Sequence, residues 1–432
     1  MILRDPVHGL IAFDGMAERV VRSLLDTREV QRLRRVRQLG LASLVFPGAE
    51  HTRFSHAVGT AHVMQALLDR IDACSDELPV DQKLDDEARA DALAAALLHD
   101  LGHGPFSHLF EEVLPHAKHH EQWTQDILRE PSTEVHQTLE SISSGMAGRV
   151  AGLLSGDYRL GYLSQSVSGT LDVDRADYLL RDSHMTGVRY GLYDLDWLLH
   201  ALTFACVEGR WVLAVQGRKG LPPVESFFLG RHFMYQQVYH HKATRAADAL
   251  VRAIFTRVSE LIFEGTPPDP LLPAFRAAAL GEPIAVEEYL RMDDAELLTC
   301  LSAWEHGNDR TLASFSESLR CRRLPKTVPL PDHRRSLWAE AHARAQEIVG
   351  AHGERTDLTV WLDKAEDVPY PEPTDGSTDG LWVTLRHQPL RRLGDASFIL
   401  GQLRNKRIER PRLIFPGSYR DEVLAALHDV LD

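Results

Sequence analysis

No two of the four cysteines, Cys74, Cys206, Cys300 and Cys321, form a CxxC pair. Scattered single thiols fit a reduced compartment and exclude both a disulfide framework and a thiolate zinc site. No run approaches the roughly eighteen consecutive apolar residues of a membrane span. The start, MILRDPVHGLIAFD, lacks the apolar core of a signal peptide and carries Arg4 and Asp5 within its first few positions. Positive charge is also short: 48 Lys and Arg against 62 Asp and Glu give a formal net charge of −14. That balance argues against a dedicated nucleic-acid coat or a polybasic membrane face, though local cations can still gather a phosphate. There is no internal repeat. A soluble cytoplasmic protein is the expectation these absences leave.

What is present is an ordinary globular composition, 44% hydrophobic and 25% charged, spread over 432 residues. The length exceeds one compact core, so a large main domain with an appended lobe is expected. The first 260 or so residues read mostly as helix. Asp85 to His99 opens with acidic residues suited to a helix amino terminus and carries Leu93, Ala96 and Leu97 at helical spacing. Ala57 to Asp72 and Arg231 to Val258 also read as amphipathic helices, and Trp211 to Val215 as a strand. After Gly265 the run GTPPDPLLP breaks the pattern, with helical signals resuming near Val286. Leu358 to Leu362 and Trp382 to Leu385 flank the turn-rich YPEPTDGSTDG and predict a small hairpin or sheet.

The chemistry concentrates in ALLHDLGHGPFSHLFEE, Ala96 to Glu112. Three histidines and three carboxylates crowd the end of an apolar helix that Gly102 terminates. An HD dipeptide alone carries no information. Here, however, potential ligands cluster where packing would prefer hydrocarbon. His56, His99, Asp100 and Asp174 together offer imidazole nitrogen and carboxylate oxygen, a donor set for Mn, Fe, Zn, Ni or Mg-type ions rather than a Cys-rich site.

The chain resembles the HD-domain phosphohydrolases, and among them the deoxynucleoside triphosphate triphosphohydrolases typified by the SAM-and-HD-domain dNTPase and bacterial dGTPase-like enzymes. The runs that carry the resemblance are DPVHG (Asp5 to Gly9), QRLRRVRQLG (Gln31 to Gly40), FPGAEHTRFSHAVG (Phe46 to Gly59), LLHDLGHGPFSH (Leu97 to His108), HEQ (His120 to Gln122), DVDRADYLLRDSHMTG (Asp172 to Gly187) and VYHHK (Val238 to Lys242). Matches through LRCRRLPK and RLIFP in the last hundred or so residues are weaker, and no SAM domain precedes the matched runs.

The resemblance implies a mostly α fold: an HD-domain helical bundle over residues 1–262, its metal ligands within 50–185. A smaller mixed α+β carboxy-terminal lobe, residues 263–432, would serve oligomerisation or regulation. His56, His99, Asp100 and Asp174 are implied as ligands to one divalent transition metal, with Mg accompanying the nucleotide phosphates. His103, His108, Glu111, His120 and Glu121 are implied as the catalytic shell. In it His120, oriented by Glu111 or Glu121, donates a proton to the leaving oxygen. Arg53, Arg175 and Lys242 are implied as triphosphate contacts, with Tyr178, Asp182, Arg231 and Tyr239 near sugar and phosphates. Gln38 and Leu39 would read the deoxyribose.

The implied reaction is attack of metal-activated water on the α-phosphate of a dNTP, giving deoxynucleoside and inorganic triphosphate. The implied assembly is a homo-oligomer, dimer or tetramer. Alternatives are another nucleoside polyphosphate, such as diadenosine tetraphosphate, or an inactive nucleotide-binding regulator. Two departures stand out. Arg175 replaces the lysine usual in well-studied relatives, keeping the charge but altering donor geometry. Asp26 and Arg34 fit positions that read a guanine activator in regulated relatives. Yet only Met1 to Arg4 precede DPVHG here, without the lysine and asparagine that contact activator phosphates there.

Overall fold

The computed structural model describes residues 1–373 and 380–431. Its centre is a bundle whose innermost helix, Asp86–Leu98, is apolar on every side in its second half. Ala92, Leu93, Ala94, Ala95, Ala96, Leu97 and Leu98 are all fully buried, the pattern of a helix surrounded by others. Asp85 starts it by accepting a hydrogen bond from the Ala88 N–H at 2.8 Å, with Asp86 and Glu87 in the first turn. The long helix Arg53–Ala73 packs along it, and Val173–Thr186 lies against Arg53–Ala73. These three helices deliver His56, His99 with Asp100, and Asp174.

The expected helix over Arg231 to Val258 is two helices, Leu221–Met234 and Lys242–Phe263. Between them Tyr235–Tyr239 forms one π-helical turn, a local widening often found at functional sites. His241 then caps the second helix by accepting from the Ala243 N–H at 3.3 Å. Past Gly265 the first helix begins at Pro273, earlier than the sequence pattern indicated.

Among the described residues, three small sheets complete the fold. Strands β1 (Ile2–Asp5) and β2 (Gly9–Ala12) form an antiparallel hairpin at the amino terminus. β3 (Leu202–Val207) and β4 (Arg210–Gln216) pair antiparallel. β5 (Lys326–Pro329), β6 (Trp361–Asp367), β7 (Trp382–Thr384), β8 (Arg391–Arg392) and β9 (Ile408–Phe415) follow in chain order. β7 joins β4 in parallel, whereas β6 pairs with β9 in another sheet of order β5-β9-β6. The two runs read as neighbours in one hairpin or sheet therefore belong to different sheets. Residues 374–379, the middle of the turn-rich loop between them, lie outside the described residues.

Contacts run freely across position 262. Leu109, Phe110 and Trp123 share one core with Leu250, Phe255, Phe275 and Trp304. Arg412 of β9 donates to the carbonyl of His240 at 3.0 Å. Burial, reinforced by Arg245, pushes the His240 imidazole down from 6.5 to about 4. Above pH 6.5 the group is neutral in both folded and unfolded chains and has no effect. As pH falls from about 6.5 towards 4, only the unfolded chain takes up the proton, so stability is lost. His240→Gln should flatten this acid limb, measured as urea midpoints from pH 7 to 4 for both proteins. Parallel curves would exclude His240 as a contributor.

Candidate active site

The ends of the three central helices meet at one point. His56 Nε2 lies 2.9 Å from Asp174 Oδ1 and 3.2 Å from His99 Nε2, while His99 Nε2 lies 3.4 Å from Asp174 Oδ1. Asp100 closes the group, its Oδ1 3.5 Å from His99 Nε2 and its Oδ2 3.9 Å from His56 Nε2. Both imidazoles have the other ring nitrogen committed. His99 Nδ1 is 2.9 Å from the Ala96 carbonyl, and His56 Nδ1 is 2.8 Å from Asp177 Oδ2. With an N–H fixed at Nδ1, each Nε2 faces Asp174 and is the atom that would release its proton to ligate a metal. Two imidazoles and two carboxylates so arranged suit a single divalent transition ion.

Charge balance agrees. Burial alone would lower the His56 pKa, but hydrogen bonds to Asp174 and Asp177 outweigh it and push the group up to about 10. Burial opposes the charge of Asp100, yet the Arg53 guanidinium, with the imidazoles around it, holds its carboxyl well below the usual range. The Arg53 guanidinium donates to Asp100 Oδ2.

A second cluster adjoins the first. His103, His108 and His120 come within ligand distance of one another, with ring centroids 3.8 Å apart for His103 and His120. Burial, then the Arg53 charge, lowers the pKa of His103 well below 6.5 and lowers that of His108. Both are therefore neutral at pH 7. His120 differs: Glu111 Oε1 lies 3.1 Å from its Nδ1 and accepts its backbone N–H at 3.0 Å. Of the two carboxylates considered as its partner, Glu111 is the one in contact. Glu121 is exposed.

A cavity of about 450 Å³ opens over both clusters, a usual size for a small-molecule site. It is lined by Asp100, Asp174, His103, His108 and His120, and also by Gln38, Leu39, Arg53, Tyr178, Asp182 and Tyr239. His56, His99 and Glu111 stand behind that lining. Lys242 is exposed and lies outside it. Arg175 and Arg231 line a separate cavity of about 480 Å³. Arg175 donates to Asp172 and the Gly169 carbonyl, and Arg231 to the Val368 carbonyl at 2.9 Å.

The sequence reading passed over Arg37, Tyr235, Arg245, Asp248 and Arg252, which also line the first cavity. Positions 245, 248 and 252 share one helical face, a spacing visible in the sequence. It passed over Asp177 too, although that residue lies one helical turn beyond Asp174.

A family model described as the HD domain matches residues 53–182, the segment that holds all four candidate ligands. An uncharacterised protein of Bacillus subtilis, YwfO, is 32% identical over 419 residues, 96% of this chain and 92% of its own length. The chain belongs to the HD-domain family. A SAMHD1 homologue of Dictyostelium discoideum, named as a deoxynucleoside triphosphate triphosphohydrolase, is 29% identical over 272 residues. That match covers 60% of this HD-domain chain and only half of the Dictyostelium protein. The crystal structure of a phosphohydrolase from Bacteroides thetaiotaomicron superposes with a TM-score of 0.77 at 26% identity, covering 96% of this chain and 100% of that one.

Gly102 shows how tightly the HD-domain helices close on the site. Its N–H donates to Thr124 Oγ1 at 2.9 Å, and an added Cβ would fall 2.1 Å from the His120 carbonyl oxygen and 2.4 Å from the Thr124 nitrogen. Both are backbone atoms of the helix that carries His120. Gly102→Ala should cost about 1–3 kcal/mol, as overpacking does. Gly148→Ala, where the space is open, should gain roughly 0.5–1 kcal/mol. Denaturant melts of both variants check the contrast, and equal stabilities would contradict the packing described.

Proposed function

We propose that this HD-domain protein is a divalent-metal-dependent phosphohydrolase that cleaves dNTPs to deoxynucleoside and inorganic triphosphate. One observation carries the reading. A single cavity joins the exposed edge of the His–Asp cluster, three histidines and the Gln38, Leu39, Tyr178 and Tyr239 wall. The SAMHD1-named relative supports the dNTP substrate, and the phosphohydrolase structure supports the reaction class alone.

His56, His99, Asp100 and Asp174 would hold the ion. Bound there, a divalent ion supplies Lewis-acid polarisation of a phosphoryl oxygen and a lowered pKa for water. The remaining work falls to side chains. Arg53, anchored on Asp100, places a fixed positive charge over the α-phosphate. The neutral His103 and His108 offer N–H donors to its oxygens without competing for protons. His120, with Glu111 holding its Nδ1–H, directs Nε2 to the leaving 5′-oxygen and protonates it as the phosphorus–oxygen bond breaks.

The sugar meets a polar and an apolar group. Gln38 Oε1 is buried without a hydrogen-bond partner among the described residues and is free to accept the 3′-hydroxyl. Leu39 packs beside it and disfavours a 2′-hydroxyl. The Tyr239 hydroxyl donates to Asp182 Oδ2 at 2.7 Å, while Asp182 Oδ1 is held at 2.7 Å by His51. The ring of Tyr239 is thereby fixed as a platform for the sugar. Arg175 and Arg231 reach the phosphates only by leaving Asp172 and the Val368 carbonyl.

A second substrate reading has its own support. Arg37, Arg245 and Arg252 line the same cavity, and by exchanging their partners Glu50, Asp248 and Glu112 for phosphate they would suit a longer polyphosphate. Mn(II)-loaded protein assayed on dATP, dGTP, ATP and diadenosine tetraphosphate, with products identified by mass spectrometry, separates the two. Triphosphate plus deoxynucleoside is expected, and His120→Ala should lower turnover about 10²–10⁴-fold. Faster cleavage of ATP or the dinucleotide, or release of pyrophosphate, would overturn the dNTP reading. No turnover of any of the four would favour a binding protein over an enzyme.

A further inference from the structure

The amino-terminal hairpin lies outside residues 53–182, yet it touches the shell behind the metal site. The turn between β1 and β2 is Asp5-Pro6-Val7-His8-Gly9. Asp5 Oδ1 accepts the N–H groups of Val7 and His8, both at 2.9 Å, and Gly9 turns the chain at φ +73°. That shape aims His8 Nε2 at Asp177 Oδ1, 2.6 Å away. The other Asp5 oxygen accepts from Arg181 Nη1 at 2.7 Å. Arg181 in turn grips Asp177 with Nε at 2.8 Å and Nη2 at 2.9 Å. Asp177 Oδ2 also accepts the His56 Nδ1–H, 2.8 Å away. Asp177, Arg181 and His56 have no exposed side-chain surface.

The neighbouring helix leaves room for this carboxylate. A Cβ at Gly59 would sit 1.9 Å from Asp177 Oδ1 and 2.2 Å from Arg181 Nη2. A bare glycine mid-helix is unfavourable, so its presence beside the pair marks a close approach the fold accommodates.

We infer that Asp177 is the positioning residue of the metal site and that the Asp5–His8 turn holds it in place, directly by His8 and through Arg181 by Asp5. The inference rests on the metal-site reading above. A carboxylate fixing Nδ1–H sets the tautomer and the ring plane of His56, and strengthens Nε2 as a ligand. His99 has only a backbone carbonyl in that place, so the two imidazoles are unequal and His56 is the stronger donor.

The test titrates Co(II) into metal-free full-length protein against a competing chelator and records the visible spectrum of the bound ion. Wild type, His56→Ala, Asp177→Asn and His8→Ala are compared, with circular dichroism reporting the fold. Asp177→Asn should weaken Co(II) about 10–100-fold and shift its absorption bands. His8→Ala should weaken it severalfold with the fold intact. Should Asp177→Asn not fold, His8→Ala decides, because it trims only the hairpin side of the pair. Wild-type affinity and spectrum in a folded Asp177→Asn, or failing that in His8→Ala, would overturn the positioning role alone. If wild type holds no Co(II), or His56→Ala holds it equally well, the metal-site reading itself fails and this inference with it.

Discussion

Two imidazoles and three carboxylates packed within a few ångströms of a protein interior tolerate one another only when positive charge sits among them. His56, His99, Asp100, Asp174 and Asp177 are in that position. The carboxylates push His56 up to about 10, and Asp177 is held well below its usual range despite full burial. Such a group is costly to bury without a partner. A divalent cation meets the same demand as a proton, with greater charge. The rest of the structure follows from keeping these five side chains in place.

The fold does so by stacking rigid elements around an apolar helix. Ala92 to Leu98 anchor it on all sides, so His99 and Asp100 emerge at a fixed place and angle. Two further helices bring His56 and Asp174 to the same end. Behind them, Arg181 and the hairpin turn restrain Asp177. In front, Gly102 lets the His120 helix approach closely enough for a second histidine group to border the first. Rigidity behind the site and a roomy cavity before it are what a hydrolase of a charged substrate needs.

Much of this was legible in the sequence because the decisive groups sit in short runs. LLHDLGHGPFSH gives its own helix end, and the four candidate ligands are recoverable from motif order. Less legible was everything set by side-chain direction. Whether Glu111 or Glu121 meets His120 depends on how the Ser107–Val113 and His120–Arg129 helices face each other, and spacing does not encode that. Arg175 follows a candidate ligand directly, yet points to another cavity because adjacent helical residues diverge by about 100°. The strands at Trp361–Asp367 and Trp382–Thr384 resemble a hairpin locally, but long-range pairing with β9 and β4 overrides proximity. Asp177 went unread although it shares a helical face with Asp174.

The central claim is that three separated segments hold one ion between His56, His99, Asp100 and Asp174. Anomalous X-ray diffraction at the Mn or Fe absorption edge, on crystals of metal-loaded protein, tests it most directly. A single strong peak bounded by those four side chains, with Nε2 of both histidines facing it, is the predicted result. A peak at His103, His108 and His120 instead, or none between the four, would contradict the account.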